Sequence, residues 1–108
     1  MTKSKVYFSD FHMPYGGDPL PVKLAKLMKK AGFNDIDFKD KFVAIKMHFG
    51  EAGNLAYLRP NYAKVVVDMV KAAGGRPFLT DCNTLYVGSR KHALEHLDTA
   101  YTNGFNPL

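Results

Sequence analysis

The chain has 108 residues, a formal net charge of +5 and a hydrophobic fraction of 46%, with 8 Phe and 6 Tyr. That length fits one domain, and the composition supplies a core, which excludes an intrinsically disordered segment. No apolar run reaches the roughly 20 residues that cross a bilayer, and the lone Cys82 excludes an internal disulfide and cannot by itself supply a zinc or iron–sulfur site.

The N-terminal "MTKSKVYFSD" lacks an apolar stretch of signal-peptide length, so a cytoplasmic address is expected. The lysines are scattered: Lys23, Lys26, Lys29, Lys30, Lys39, Lys41, Lys64 and Lys71 fall largely on outward helix faces. With no RRM-like aromatic pattern and no paired Cys/His ligands, that spread argues against a nucleic-acid partner.

Three strand–helix units follow in chain order. "KVYFSDF", Lys5 to Phe11, is rich in β-branched and aromatic residues and is predicted as the first strand. Asp18 then reads as an N-cap with Pro19 at the first helical position, and Leu20, Leu24, Leu27, Met28 and Ala31 share one helical face up to Gly32. The second strand, "FVAIKMHF", is nearly continuous in apolar residues, as in a strand covered on both faces. A helix from Pro60 puts Ala63, Val66, Val67, Val70 and Ala73 on its buried stripe and stops at Gly74 and Gly75. The third strand is "RPFLTDC", with Pro77 near its start, where a missing N–H is tolerated. Ser89 reads as the cap of a last helix with Ala93, Leu94, Leu97, Ala100 and Tyr101 facing inward, closed by Gly104.

This alternation predicts an α/β fold: a three-layer, Rossmann-like open sheet of three or more parallel strands with right-handed helical crossovers. Residues 1–108 form one such domain. Three strands make a small sheet against the usual five or six or so, so the expectation is a truncated sheet, the N-terminal part of a longer protein.

In open parallel sheets ligands bind beyond the carboxyl ends of the strands, and the polar residues gather there. Strand one leads into Ser9, Asp10 and His12, strand two into His48, Gly50, Glu51, Gly53 and Asn54, and strand three into Thr80, Asp81, Cys82, Asn83 and Thr84, then Ser89 and Arg90. The opposite-edge connections "NDIDFKDK" and "GGR" carry plain turn and charge residues. His48 is either a hydrogen-bonded strand-end histidine or a metal ligand and proton carrier. Glu51, Asp10 and Asp81 are metal ligands or bases on one reading and loop or turn carboxylates on the other. The candidate metal set is His48, Glu51 and Asp81. Cys82 would need a lowered pKa to act as a nucleophile. His92 and His96 lie four apart but lack the H-E-x-x-H pattern, and read as a solvated pair. The glycine turns "PYGGDP" and "FGEAGN" match neither phosphate-loop pattern.

"FVAIKMHFGEAGN", followed by "RP", a helix and "GGRPFLTDCNTLYVGSRKHALEHLDTAYTNGF", resembles domain-of-unknown-function family 362, whose members are often described as uncharacterised iron–sulfur centre proteins. The positions matching its motifs are His48, Gly50, Glu51 and Asn54, then Asp81, Asn83, Thr84, Tyr86, Gly88, Ser89 and Arg90. The resemblance implies a longer parent with cysteines spaced for [4Fe–4S] clusters. This sequence has no C-x-x-C, so the cluster is implied only for such a parent.

The expected function is therefore a ligand- or metal-binding domain of an iron–sulfur redox protein. Its partners would be a small ligand or metal ion and the rest of its own chain, with no membrane. The expected ligand-binding residues are Asp10, His48, Gly50, Glu51, Asn54, Asp81, Cys82, Asn83, Thr84, Ser89 and Arg90, the Ser89–Arg90 helix start being an anion site. Two alternatives stay open. One is a docking domain without its own ligand, using Tyr57, Tyr62, Tyr86 and Phe105. The other is a cysteine-dependent enzyme pairing Cys82 with His48.

Overall fold

A computed structural model describes residues 2–106. Its elements in chain order are α1 (Leu20–Lys30), a 3-10 turn (Phe33–Asp35), β1 (Phe42–Lys46), α2 (Pro60–Ala72), β2 (Arg76–Thr80) and α3 (Ala93–Thr102). β1 and β2 pair in parallel, with Phe42 opposite Arg76 and Lys46 opposite Thr80. The crossover between them is α2, which packs on both strands, and α1 packs on α2.

The side-chain alternation of a strand sorts the residues of this pair onto two faces. Val43, Ile45, Pro77 and Leu79 are half-buried on the α2 side, while Phe42, Ala44, Lys46, Arg76 and Phe78 lie on an exposed face. A small core forms beyond the strand ends. Ala63 of α2, Ala100 of α3 and Phe105 are buried together, with Met47, Phe49, Tyr57 and Leu79 packed against them. Phe105 sits 5.0 Å from the Phe49 ring and 6.2 Å from that of Tyr57. Phe105 is thus a core residue, unavailable for the interface role expected of it.

The sheet among the described residues has two strands, not three or more, and the three-layer Rossmann-like expectation falls with the missing strand. "KVYFSDF" has the composition of a strand, but β propensity expresses packing on a neighbour, and here no neighbour pairs with it. Residues 2–10 carry no regular structure, with Val6 88% and Phe8 83% exposed. The end of the segment is held at α1 instead. The Lys23 ammonium donates to the Asp10 carbonyl and carboxylate, both at 2.9 Å, and to the His12 carbonyl at 2.8 Å.

The helix starts also differ from expectation. α1 begins at Leu20 with Pro19 as N-cap, and the Asp18 carboxylate pairs with Lys26 rather than capping. α3 begins at Ala93, so Ser89 and Arg90 belong to the preceding loop and form no helix-start anion site. The inward face of α3 is His96, Thr99 and Ala100, while Leu94, Leu97 and Tyr101 are exposed.

Candidate functional site

The two strand ends and the loop after β2 bring several of the expected site residues together, and bind them to one another. Glu51, four residues past the Met47 that extends β1, accepts the backbone N–H of Ser89 at 2.8 Å, the Ser89 hydroxyl, and Arg90 Nε at 3.1 Å. Arg90 is 3% exposed and spends its guanidinium fork inside the protein. Besides Glu51 it donates through Nη1 to Asp81 Oδ2 at 3.2 Å and through Nη2 to the Tyr86 hydroxyl. Asp81 Oδ1 accepts from Lys46 Nζ at 2.9 Å and from the Cys82 N–H at 2.8 Å.

Backbone bonds fix the same loop. The Arg90 carbonyl accepts the Thr84 N–H at 3.0 Å, the Ser89 hydroxyl accepts the Ala52 N–H at 3.2 Å, and Thr99 Oγ1 donates to the Ser89 carbonyl at 2.8 Å. The result is a clamp: Lys46, Glu51, Asp81, Ser89 and Arg90 tie the turn after β1 to the loop after β2 and to α3. A hollow of about 430 Å³ lies beside it, between Ser89 and the α3 residues Glu95, Asp98 and Thr99.

Charge follows this geometry. The Ser89 hydroxyl, outweighing partial burial, and the Arg90 fork hold the Glu51 carboxyl down at about 2. Burial pushes the Asp81 carboxyl up, but hydrogen bonds from Lys46 and the Cys82 N–H win, and its pKa is lowered. Lys46 is raised by the hydrogen bond it gives Asp81. Arg90 is raised as well, burial being outweighed by Glu51 and Tyr86.

A depressed carboxylate stabilises the fold only while it is charged in the folded state. The contribution of Glu51 is complete above its ordinary value of 4.5, declines as the pH falls, and is gone below about 2. Denaturant midpoints measured across that window should fall with acid, and less steeply in Glu51→Gln. Equal slopes in both proteins would mean that Glu51 is solvated in the folded state.

The other expected site residues are elsewhere or otherwise engaged. Asp10 is held by Lys23 at α1, and the hydrogen bond from that ammonium lowers its pKa. His48 Nδ1 accepts the Gly50 N–H at 2.9 Å, which engages that ring nitrogen within its own turn. Asn54 Oδ1 accepts the Ala56 N–H at 2.8 Å within its own turn. Gly50 is buried in the turn itself. Cys82 is exposed, and the His48 hydrogen bond runs to its own turn and not to Cys82. Among the described residues no three His, Cys, Asp or Glu side chains assemble into a group that could hold a metal ion.

His96 is a member that the sequence did not announce. It is 7% exposed, its Nδ1 lies 2.9 Å from Asn83 Oδ1, and its ring meets Phe49 edge-on at 5.8 Å. Nε2 is buried without a hydrogen bond, 3.5 Å from Asp81 Oδ2. His92 instead pairs with Glu95 on the surface, so the two histidines do not act as a solvated pair. Lys46 and Asn103 were also missed. Asn103 Nδ2 donates to the Phe49 carbonyl at 2.9 Å, closing the turn over the core.

One family model matches residues 43–108, and with them the whole clamp: the domain of unknown function DUF362. The chain belongs to this family. No curated protein and no solved structure matches it. The DUF362 match leaves Thr2 to Phe42 outside, including the Lys5–Phe11 segment and α1. A [4Fe–4S] cluster takes a set of cysteine thiolates, and this sequence offers only Cys82. No helix among the described residues is long and apolar enough to cross a membrane.

Proposed function

We propose that this DUF362 chain is a docking domain, which offers the open face of its sheet to another polypeptide. The observation that carries this reading is the pair Phe42 and Phe78. They lie on one sheet face, 77% and 50% exposed, flanked by Arg76 and Lys46, with the Arg76 guanidinium 5.7 Å from the centre of the Phe42 ring. Parallel sheets are ordinarily covered on both faces, and contiguous exposed apolar surface marks an interaction site. The clamp supports the same reading from the polar side. In it Glu51, Asp81, Ser89 and Arg90 rigidify the scaffold, in place of the ligand role expected of them.

The test separates a free face from a packed one. At a dilution where the chain sediments as a single copy, Phe42→Thr with Phe78→Thr should change the unfolding free energy by less than about 1 kcal/mol. Threonine keeps the β preference, so what is removed is the exposed ring surface. Retention on a hydrophobic-interaction column should fall at the same time. A loss of several kcal/mol would show the rings packed within the fold and end the reading.

A further inference from the structure

We infer that the occupant of the open sheet edge is a second copy of this chain, which adds its Lys5–Asp10 segment to the outer side of β1. This goes beyond the docking reading, which concerns the open face of the sheet and not its edge.

The ladder defines which edge is available. Arg76 N–H donates to the Lys41 carbonyl at 2.8 Å and Met47 N–H to the Thr80 carbonyl at 3.0 Å. With that register, Val43, Ile45 and Met47 turn their backbone groups toward β2, and Phe42, Ala44 and Lys46 turn theirs outward. No strand pairs with that outer side among the described residues. On β2 the outward positions are Pro77 and Leu79, and Pro77 has no N–H to give. Proline on an edge strand blocks pairing, and a flat edge without one invites it. β1 is therefore the edge left open.

The chain carries a segment suited to that edge. Lys5–Asp10 has strand composition, is long enough to run alongside the five residues of β1, and makes no ladder of its own. Val6 and Phe8, two apart, share one side of an extended strand and are both exposed. Added to β1, they become cross-strand neighbours of Phe42 and Ala44, in the range where apolar pairs stabilise a sheet. Lys23 holds Asp10 and His12 at α1, which fixes the root of the segment. Reciprocal exchange by two copies uses the same patch on each and closes as a two-fold pair.

The experiment is sedimentation of the full chain over a range of concentrations, with amide exchange followed at Phe42, Ala44 and Lys46. The expected result is a two-copy species in which those amides are protected. Val6→Asp with Phe8→Asp should weaken association by at least about tenfold and release the protection. Both side chains are exposed in the single chain, so the variant retains its fold, checked by an unchanged single-chain unfolding midpoint. Three results would overturn the inference: a single copy at every concentration, association unchanged in the variant, or protected amides in a single-copy species, which would mean that the segment folds back on its own edge. Each leaves the docking reading to its own test, the single-copy stability of Phe42→Thr with Phe78→Thr.

Discussion

Arg90→Met is expected to cost about 3–5 kcal/mol, the range for removing one partner from a buried ion pair. Arg90 is 3% exposed, and the side chain of Asp81, its partner at 3.2 Å, is 4% exposed. Methionine fills similar volume, so the loss is electrostatic: Asp81 keeps Lys46 but loses the fork, and Glu51 loses the one cation it pairs with among the described residues. Domains of this size are stable by only about 5–15 kcal/mol, and the buried apolar core here is Ala63, Val70, Ala100 and Phe105. The variant should therefore lie at or near the edge of folding. Arg90→Lys restores the charge but not the planar fork, and should recover only part of the loss. Denaturant titration followed by far-ultraviolet circular dichroism measures both. A loss under about 1 kcal/mol for Arg90→Met would place the cluster in solvent and dissolve the clamp.

Gly50→Ala should be the most damaging change that adds a single methyl group. Gly50 has a φ of +84°, and a Cβ there would lie 2.6 Å from both Asn103 Nδ2 and Tyr57 Cδ1. The left-handed backbone costs a non-glycine residue about 1–2 kcal/mol. The contact also drives Asn103 from the Phe49 carbonyl and disturbs the Tyr57 hydroxyl bond to the Asn103 carbonyl, at about 1 kcal/mol for each bond lost. Gly53 gives the control. Its φ is +78°, but nothing lies within 4 Å of its Cβ position, so Gly53→Ala should show the backbone cost alone. Equal thermal midpoints for the two variants would mean that the turn yields around Gly50.

The parts of this fold legible in the sequence are those set by local pattern. The apolar run of β1, the α2 stripe with Ala63 and Val70, and the strand of Arg76–Thr80 were all readable, because near-neighbour spacing decides them. The segment Lys5–Phe11 shows the opposite case. Its residues favour an extended chain, but a strand is a pairing, and the partner lies outside the window being read. The Ser89 hydroxyl has the chemistry of a helix cap and was spent on Glu51, 38 residues away. His96 was obscured because Leu94, Leu97 and Tyr101 resemble a core stripe, whereas His96, Thr99 and Ala100, at the same helical spacing, are the ones that turn inward. The strand-end clustering of Glu51, Asp81, Ser89 and Arg90 was foreseeable from topology. That they would satisfy one another was not, since matching donors to acceptors needs side-chain geometry.

The span of the clamp has a consequence for the order in which the chain folds. Glu51 and Arg90 are 39 residues apart, and Lys46 and Asp81 are 35 apart. Closing such loops has an entropic cost that must be met before the contacts form, while the helices and the turn at Gly74 need only neighbours. The strand pairing, Phe42 with Arg76, spans a similar 34 residues, so the clamp is expected to close once that pairing has brought its ends together, and to act as a latch on the way out. Arg90→Lys should leave the refolding limb of a chevron nearly unmoved and raise the unfolding limb. The lifetime of the native state, more than the speed of reaching it, is then what these charges govern.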